Sequence, residues 1–207
     1  GAGDRELLHM IPVGFSLDGA RVADPRGMYG DRLGASMHLV TANSSAVRNL
    51  VTSIERCHLS IDTFVVSPYA SGLSTLVGDE MELGVTVVDM GGGTTTLAVF
   101  FGGEVVYTDI IPIGGQHVTS DIARGLSTPV VAAERIKTLY GSAASLPSDN
   151  REFIDVPQIG EEEHAQANHV PKSVLVGIIR PRLEETFEHV RARLEASGFD
   201  RVAGRRL

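Results

Sequence analysis

Hydrophobic and polar residues follow two different periods along the first third of the chain, and each period predicts a type of element. The runs "LLHMIPVGFSL" and "ASMHLVTA" predict strands, and "DTFVVS" predicts a third. Apolar residues at helical spacing predict a helix from Ser44 to Cys57, with Asn43, Ser44 or Ser45 as its cap. A short helix is expected in "SPYASGLSTL", with Ser67 as its cap. Between the first two strands, "DGARVADPRGMYGDRLG" predicts turns.

The second part of the chain begins with a nearly continuous apolar run, "LGVTVVD", which is typical of a buried strand. The runs "TTTLAVFF" and "EVVYTDIIPI" predict two more strands, and the Gly-Gly pair between them predicts a hairpin turn. Helices are expected from Val118 to Gly125 and from Pro129 to Tyr140, followed by a short strand in "EFIDVP". The last element is a long amphipathic helix from Pro171 to Ser197, which Pro181 should kink or split and Gly198 should end.

Composition and charge limit the functional classes. With 43% hydrophobic residues among 207, the chain can bury a core, and it contains no apolar run of the roughly 18 residues that span a membrane. The net charge of -8 argues against nucleic-acid binding, which depends on clustered Lys and Arg, and favours a protein partner or a small ligand. We expect "GEEEHAQANH" to be a solvated loop, because the spacing of His164 and His169 is not that of a metal site. Cys57 is expected to be a buried core thiol in a cytoplasmic protein.

The stretch "VVDMGGGTTTLAVFFGG" places three glycines directly after a strand that ends in Asp89. Residues without Cβ atoms let a phosphate approach the backbone closely, while Asp89 could hold a hydrated magnesium ion beside it. The element after the glycines is a strand, which excludes a Rossmann fingerprint, and the chain has no G-x-x-x-x-G-K-[ST] motif. The pattern favours a nucleoside triphosphate, with a ligand-free hairpin as the alternative. The candidate phosphate-binding residues are Gly91, Gly92, Gly93, Thr94 and Thr95.

Longer motifs carry a resemblance to a known family. The segment "DMGGGTTTLAVF" is similar to the second phosphate loop of the superfamily of actin, sugar kinases and heat-shock chaperones. Taken with "HMIPVGFSLDG", "DPRGMYGDRL", "IPIGGQHVTSDIARGLSTPVVAAERIKTLYG" and "IIRPRLEE", it resembles FtsA, the bacterial division proteins that tether FtsZ filaments to the membrane. The resemblance implies an α/β fold, in which an α+β subdomain is followed by an actin-like, ribonuclease-H-like subdomain.

The resemblance also implies a domain organisation. Residues 1–67 are expected to form the family's 1C subdomain, an SHS2 domain, and residues 68–82 the closing helix of subdomain 1A. Residues 83–116 would begin subdomain 2A, residues 117–180 would form 2B, and residues 181–207 would return towards 2A. The chain is then expected to be a fragment that lacks the first phosphate loop, the segment closing the adenine pocket and the C-terminal membrane helix. Such a fragment should bind ATP poorly.

Further nucleotide-binding residues follow from the resemblance. Glu134 and Lys137 match the family's residues on the nucleoside side of ATP, with an exposed helical ion pair as the alternative interpretation. Gly114 and Gly115 match the turn beside the phosphates. Thr96 stands where the family usually has Asp, which removes a base that could orient water. The resemblance therefore implies ATP and magnesium as cofactors and at most a weak ATPase, with no catalytic residue assigned.

The partners implied are those of a division protein. They are the C-terminal tail of FtsZ, other copies of the chain in filaments, and further division proteins bound through the 1C-like subdomain, at the cytoplasmic face of the inner membrane at mid-cell. The membrane would be reached only through the missing C-terminal helix. Two alternatives within the superfamily are a PilM-like pilus-assembly homologue and a small-substrate kinase. The candidate FtsZ contacts on the last helix are Arg180, Arg182, Arg191 and Arg193.

Overall fold

The structure is a computed structural model that describes residues 4–160 and 168–201. Backbone contacts divide the chain into two compact units. Within the described residues, the first unit comprises residues 4–89, 96–109 and 197–201, and the second comprises the remainder. No helix in these ranges is long and apolar enough to cross a membrane.

An antiparallel sheet opens the first unit and confirms the first two predicted strands. Its central strand pairs with a short strand on one side and a long one on the other, in the order β2-β1-β3. The short strand lies inside the segment that predicts turns. The strands are β1 (Arg5–Leu17), β2 (Ala20–Val22) and β3 (Leu33–Asn43).

Three helices follow this sheet: α1 (Ser44–Glu55), α2 (Ser67–Thr75) and α3 (Gly78–Leu83). Asn43 caps α1 as predicted, because its side chain accepts bonds from two N–H groups of the first turn. The prediction of a buried thiol is wrong, since Cys57 is exposed. Helix α1 ends two residues before Cys57, and of its apolar stripe only Val47 is fully buried.

The segment "DTFVVS" is not a strand, so the third strand prediction is wrong. Residues 61–66 have no regular structure, and Val66 rather than Ser67 is the N-cap of α2. The N–H of Val66 donates to Nε2 of His9 at 3.1 Å. The histidine side chain therefore accepts the hydrogen bond that a strand partner would accept in a sheet. The spacing of apolar residues does not reveal such a partner.

A second sheet confirms the strands around the glycines. It has the order β4-β5-β6, with β4 (Val85–Met90), β5 (Thr95–Phe101) and β6 (Glu104–Ile111). The link between β5 and β6 is Gly102-Gly103, with φ angles of 61° and 80°, which is the hairpin turn that the sequence predicts. Val85, Ala98, Phe100 and Val105 are buried together in the core of the first unit.

The second unit is mainly helical. It contains α4 (Gly115–Gly125), α5 (Val130–Tyr140) and α6 (Lys172–Ser197), with a two-stranded antiparallel sheet of β7 (Phe153–Val156) and β8 (Asn168–Pro171). The three helices and β7 share one core, to which Ile122, Ile136, Val156 and Leu175 contribute. The core fixes α4 against α5, which positions the site described below.

The final helix runs uninterrupted through Pro181, so the structure shows one helix rather than two. The proline ring crowds the carbonyl four residues earlier, which here belongs to Gly177, a residue without a side chain. Gly198 follows the helix with a φ of 76°, which confirms the predicted stop. His164 lies outside the described residues. His169 lies in β8 rather than in a loop, with its Nδ1 2.6 Å from a carboxylate oxygen of Asp155.

Candidate functional site

The glycine-rich loop, residues 91–94, lies in the second unit and is fixed to the N-terminus of α4. The N–H of Gly91 donates to the carbonyl of Thr94 at 2.9 Å, which closes a tight turn. The carbonyl of Gly91 accepts from the N–H of Gly115 at 3.0 Å, and that of Gly92 accepts from Gln116 at 2.7 Å. The first N–H groups of a helix have no partner within it, so these bonds use donors that α4 leaves available.

The two anchored carbonyls determine where the next N–H groups point. In a trans peptide the C=O and the following N–H point in opposite directions. Because the carbonyls of Gly91 and Gly92 point towards α4, the N–H groups of Gly92 and Gly93 point away from it. Within the described residues neither N–H has an acceptor. Adjacent N–H groups of this kind form a binding site for an anionic oxygen.

Glycine at positions 92 and 93 keeps the space around these donors open. Neither residue has a positive φ, so the backbone conformation does not require glycine. A Cβ on Gly93 would meet nothing within 4 Å, and one on Gly92 would meet only the side chain of Gln116, at 3.8 Å. The packing of the protein therefore leaves both glycines unexplained, whereas a ligand in that space would explain them.

Gly114 and Gly115 hold the loop from the other side. A Cβ on Gly114 would lie 2.5 Å from the carbonyl oxygen of Gly91 and 2.6 Å from that of Gly92. The N–H of Gly114 donates to Nδ1 of His117 at 3.1 Å, and that of Gly115 is engaged by Gly91. Both N–H groups are thus used within the protein, and direct contact of these residues with a phosphate stays a prediction.

The two predicted threonines have different surroundings. Thr95 is fully buried, and its hydroxyl donates to the carbonyl of Ile113 at 2.8 Å. Thr94 is half-buried, and its hydroxyl has no hydrogen bond among the residues described. Thr94 is therefore the threonine whose hydroxyl is available to a ligand.

Asp89 and Thr96 belong to the first unit. The carboxylate of Asp89 accepts a hydrogen bond from Ser71 Oγ at 3.0 Å, and the buried hydroxyl of Thr96 lies 3.4 Å from Ser67 Oγ. The described part of the chain contains no group of three or more side chains suited to a metal ion. A magnesium ion near Asp89 would need water and phosphate oxygens as its other ligands, and the assignment of Asp89 stays a prediction.

Glu134 and Lys137 lie together on α5 and bond to the helix that holds the loop. The ammonium of Lys137 donates to Glu134 Oε2 at 2.7 Å, to Thr119 Oγ1 at 2.8 Å and to the carbonyl of Gly115 at 3.2 Å. The bond from Lys137, and then that from Thr119, holds the pKa of Glu134 below its ordinary value. Gly115 connects the cluster to the loop, because its carbonyl accepts from Lys137 while its N–H donates to Gly91. Thr119 is a further member of this cluster that was not among the predicted residues. The signal in the sequence was its position one helical turn after Gly115.

The four arginines on α6 have different environments. Arg180 and Arg191 line a groove of about 590 Å³ beside residues 143–145. Arg182 binds both carboxylate oxygens of Asp121 on α4, at 2.6 and 3.1 Å, and also contacts Glu185. Arg193 is exposed and lies outside the groove lining. The structure thus brings only two of the four candidate contacts to one surface.

Comparison with known sequences decides the family. The model of "Cell division protein FtsA" matches residues 86–200, and that of "SHS2 domain inserted in FTSA" matches residues 2–41. The chain belongs to the FtsA family. It is 50% identical over 205 residues to FtsA of Rhizobium meliloti (strain 1021), covering 99% of this chain and 46% of that protein. For FtsA of Escherichia coli (strain K12) the identity is 37% over 183 residues, covering 88% and 43%. The chain thus spans about half the length of these FtsA relatives.

Solved structures confirm the actin-like α/β fold. The chain is similar to a structure titled "PilM-PilN type IV pilus biogenesis complex", with a TM-score of 0.63 and 18% identity over 95% of this chain and 46% of the other. MreB5 of Spiroplasma citri bound to ADP gives a TM-score of 0.59 and 19% identity, covering 74% of this chain and 47% of MreB5. At sequence identities this low, the similarity shows only that the proteins share a fold.

Proposed function

We propose that this actin-like division protein binds ATP at the loop of residues 91–94 and recruits FtsZ to the division septum. The observation that carries the nucleotide part is the pair of outward N–H groups at Gly92 and Gly93. A phosphate fits this pair because the donors are adjacent, fixed by α4 and free of side chains. Lys137 of α5 donates to the carbonyl of Gly115 at the N-terminus of the same helix, where its ammonium is paired with Glu134.

The residues divide into two roles in this proposal. One set contacts the ligand: Gly92, Gly93 and Thr94 at the phosphates, Glu134 and Lys137 at the nucleoside, and Asp89 at magnesium through water. The other set shapes and holds the loop: Gly91, Thr95, Gly114 and Gly115. Thr96 supplies no carboxylate to orient water, so hydrolysis is weak at most.

The wider organisation is also a proposal. Residues 1–67 act as a 1C-like subdomain that meets other division proteins, residues 68–82 close subdomain 1A, and residues 83–116 begin 2A. Residues 117–180 form 2B, and residues 181–207 return towards 2A. The full-length protein assembles into filaments at the cytoplasmic face of the inner membrane at mid-cell. Family membership supports this organisation and favours a division protein over a PilM-like homologue.

Substitution of Gly92 by Val tests the nucleotide site. A branched side chain would occupy the space beside the N–H donors, so the affinity of the full-length protein for Mg-ATP should fall by at least about tenfold in isothermal titration. Gly78→Val is the matched control, because Gly78 is also exposed, lacks a positive φ and has open space around its Cβ position. Equal ATP affinity in both variants would remove the loop from the site. Phosphate transfer to a small hydroxylated substrate in the same assay would favour the kinase alternative.

The groove along α6 supports the FtsZ part of the proposal. Leu183 and Phe187 give it an apolar strip, and Phe187 is 45% exposed. Charges of both signs flank the strip: Arg180, Glu184, Glu188 and Arg191. A short disordered tail that carries acidic and basic residues could order itself against such a surface.

A further inference from the structure

Gln116 contacts the glycine-rich loop through both its backbone and its side chain. Its N–H donates to the carbonyl of Gly92, as described above, and its own carbonyl accepts from Ser120 within α4. Its side-chain atoms Nε2, Cδ and Cγ all lie 3.8 to 3.9 Å from the position that a Cβ of Gly92 would take. The residue is exposed, and within the described part of the chain its side-chain amide makes no hydrogen bond.

This amide borders the space that the missing side chain of Gly92 leaves open. A glutamine amide carries two N–H donors and one acceptor, so it normally bonds to a partner or to water. A phosphate oxygen held by the N–H of Gly92 would lie about 2.9 Å from that nitrogen. The side chain of Gln116 borders the Cβ side of the same glycine, at the end of α4 nearest the loop.

We infer that Gln116 is a further ligand-binding residue, which donates a hydrogen bond from Nε2 to a phosphate oxygen of the nucleotide. The inference rests on the proposed nucleotide site and adds to it a side-chain hydrogen-bond donor for the phosphates. Because Gln116 is neutral, Glu at this position would place a negative charge beside the phosphates, and Lys would place a positive one.

A charge series at position 116 tests the inference in the full-length protein with Mg-ATP as the probe. Dissociation constants for ATP should rise about tenfold or more in Gln116→Glu and about threefold in Gln116→Ala, and should stay level or fall in Gln116→Lys. Val131→Glu is the matched control, since it makes the same charge change on α5 at a side chain that is 84% exposed. Thermal unfolding should show similar stability in all variants, because the backbone bond to Gly92 is retained.

The outcomes separate the inference from the proposal beneath it. An ATP affinity in Gln116→Glu equal to that of Val131→Glu, while Gly92→Val still loses ATP, overturns the role of Gln116 and leaves the site in place. Equal weakening in the Glu and Lys variants assigns Gln116 a structural role and also overturns the inference. Absence of ATP binding by the unmodified protein removes the proposed site and the inference together.

Discussion

Gly92 and Gly114 lie on opposite sides of one backbone contact, and a methyl group would meet different surroundings at each. At Gly114 it would collide with two carbonyl oxygens of the loop, whereas at Gly92 it would make only ordinary contact with the side chain of Gln116. Gly102 and Gly103 represent a third case, in which a positive φ selects glycine. All three positions are simply glycine in the sequence. Only the structure shows that Gly114 is small because the loop backbone packs against it, while Gly92 leaves room for a ligand.

Gly114→Ala should destabilise the protein by about 1 to 3 kcal/mol, because the obstructing atoms are backbone and the loop must shift away from α4. Equilibrium unfolding in urea measures the change. Gly177→Ala is the control, since Gly177 is an exposed residue of α6 with nothing near its Cβ position, and alanine should stabilise that helix slightly. Equal stability of the two variants would contradict the close contact at Gly114.

The ion pair on α5 predicts a pH dependence. Lys137 holds the pKa of Glu134 below its ordinary value, so the stability that the pair contributes is present above the pKa of an unfolded glutamate and is lost as the pH falls through the folded value. Lys137→Met should raise the Glu134 pKa towards the ordinary value, and Lys137→Arg should keep it low. Carboxyl NMR titration measures both. A Glu134 pKa that is the same in the Met variant as in the unmodified protein would show that the cation is not its cause.

At the scale of elements, α4 is the structural centre of the second unit. Its N-terminus holds the glycine-rich loop, Thr119 contacts α5 through Lys137, and Asp121 binds Arg182 of α6. The side chains of Asp121 and Arg182 are 22% and 25% exposed, so the pair is partly shielded from water. A sequence interpretation that assigns Arg182 to a partner protein overlooks this internal role.

Arg182→Met should cost about 1 to 3 kcal/mol of unfolding free energy, because it leaves a partly buried carboxylate without its bidentate partner. Adding Asp121→Asn should recover part of the loss. Arg180→Met is the control, since the Arg180–Glu184 pair is more than half exposed and should contribute at most about 0.5 kcal/mol. Urea unfolding curves compare the three variants, and equal losses at positions 180 and 182 would contradict the distinction.

The elements that the sequence predicts correctly are those with long periodic patterns or specific turn residues. Strands β1 and β3, the Gly102-Gly103 hairpin and the Asn43 cap are of this kind. Helix α3 has six residues, too few for a helical period to be visible. The segment "DTFVVS" has a strand-like composition but pairs with no strand among the described residues. The glycine-rich loop between two strands was predictable, and its ligand stays a prediction. The bonds from α4 that orient its N–H groups were not, because they join residues more than twenty positions apart.

At the scale of the whole molecule, charge does not direct a partner to the protein in a simple way. The chain carries a net charge of -8, and the proposed partner, an FtsZ tail with charges of both signs, would not be attracted by that total. Local chemistry would therefore decide the proposed contact, and the groove along α6 offers arginine and glutamate on either side of an apolar strip. The residues of the groove should contribute unequally to the affinity for a partner. Truncating an apolar side chain removes the most contact area, whereas exposed charges contribute modestly.

Phe187→Ala should weaken binding of a labelled FtsZ C-terminal peptide to the full-length protein by about tenfold or more, because it removes the largest apolar side chain of the groove. Charge reversals at Arg180 and Arg191 should weaken it severalfold at low salt and less at high salt, since exposed ion pairs are screened. Arg193→Glu is the matched control, because Arg193 lies on the same helix outside the groove lining. Fluorescence anisotropy at two salt concentrations measures all four variants. If the Phe187, Arg180 and Arg191 variants bind the peptide as tightly as the unmodified protein, the FtsZ contact lies elsewhere on the molecule. If only the Arg193 variant loses affinity for the peptide, the contact lies on the other face of α6.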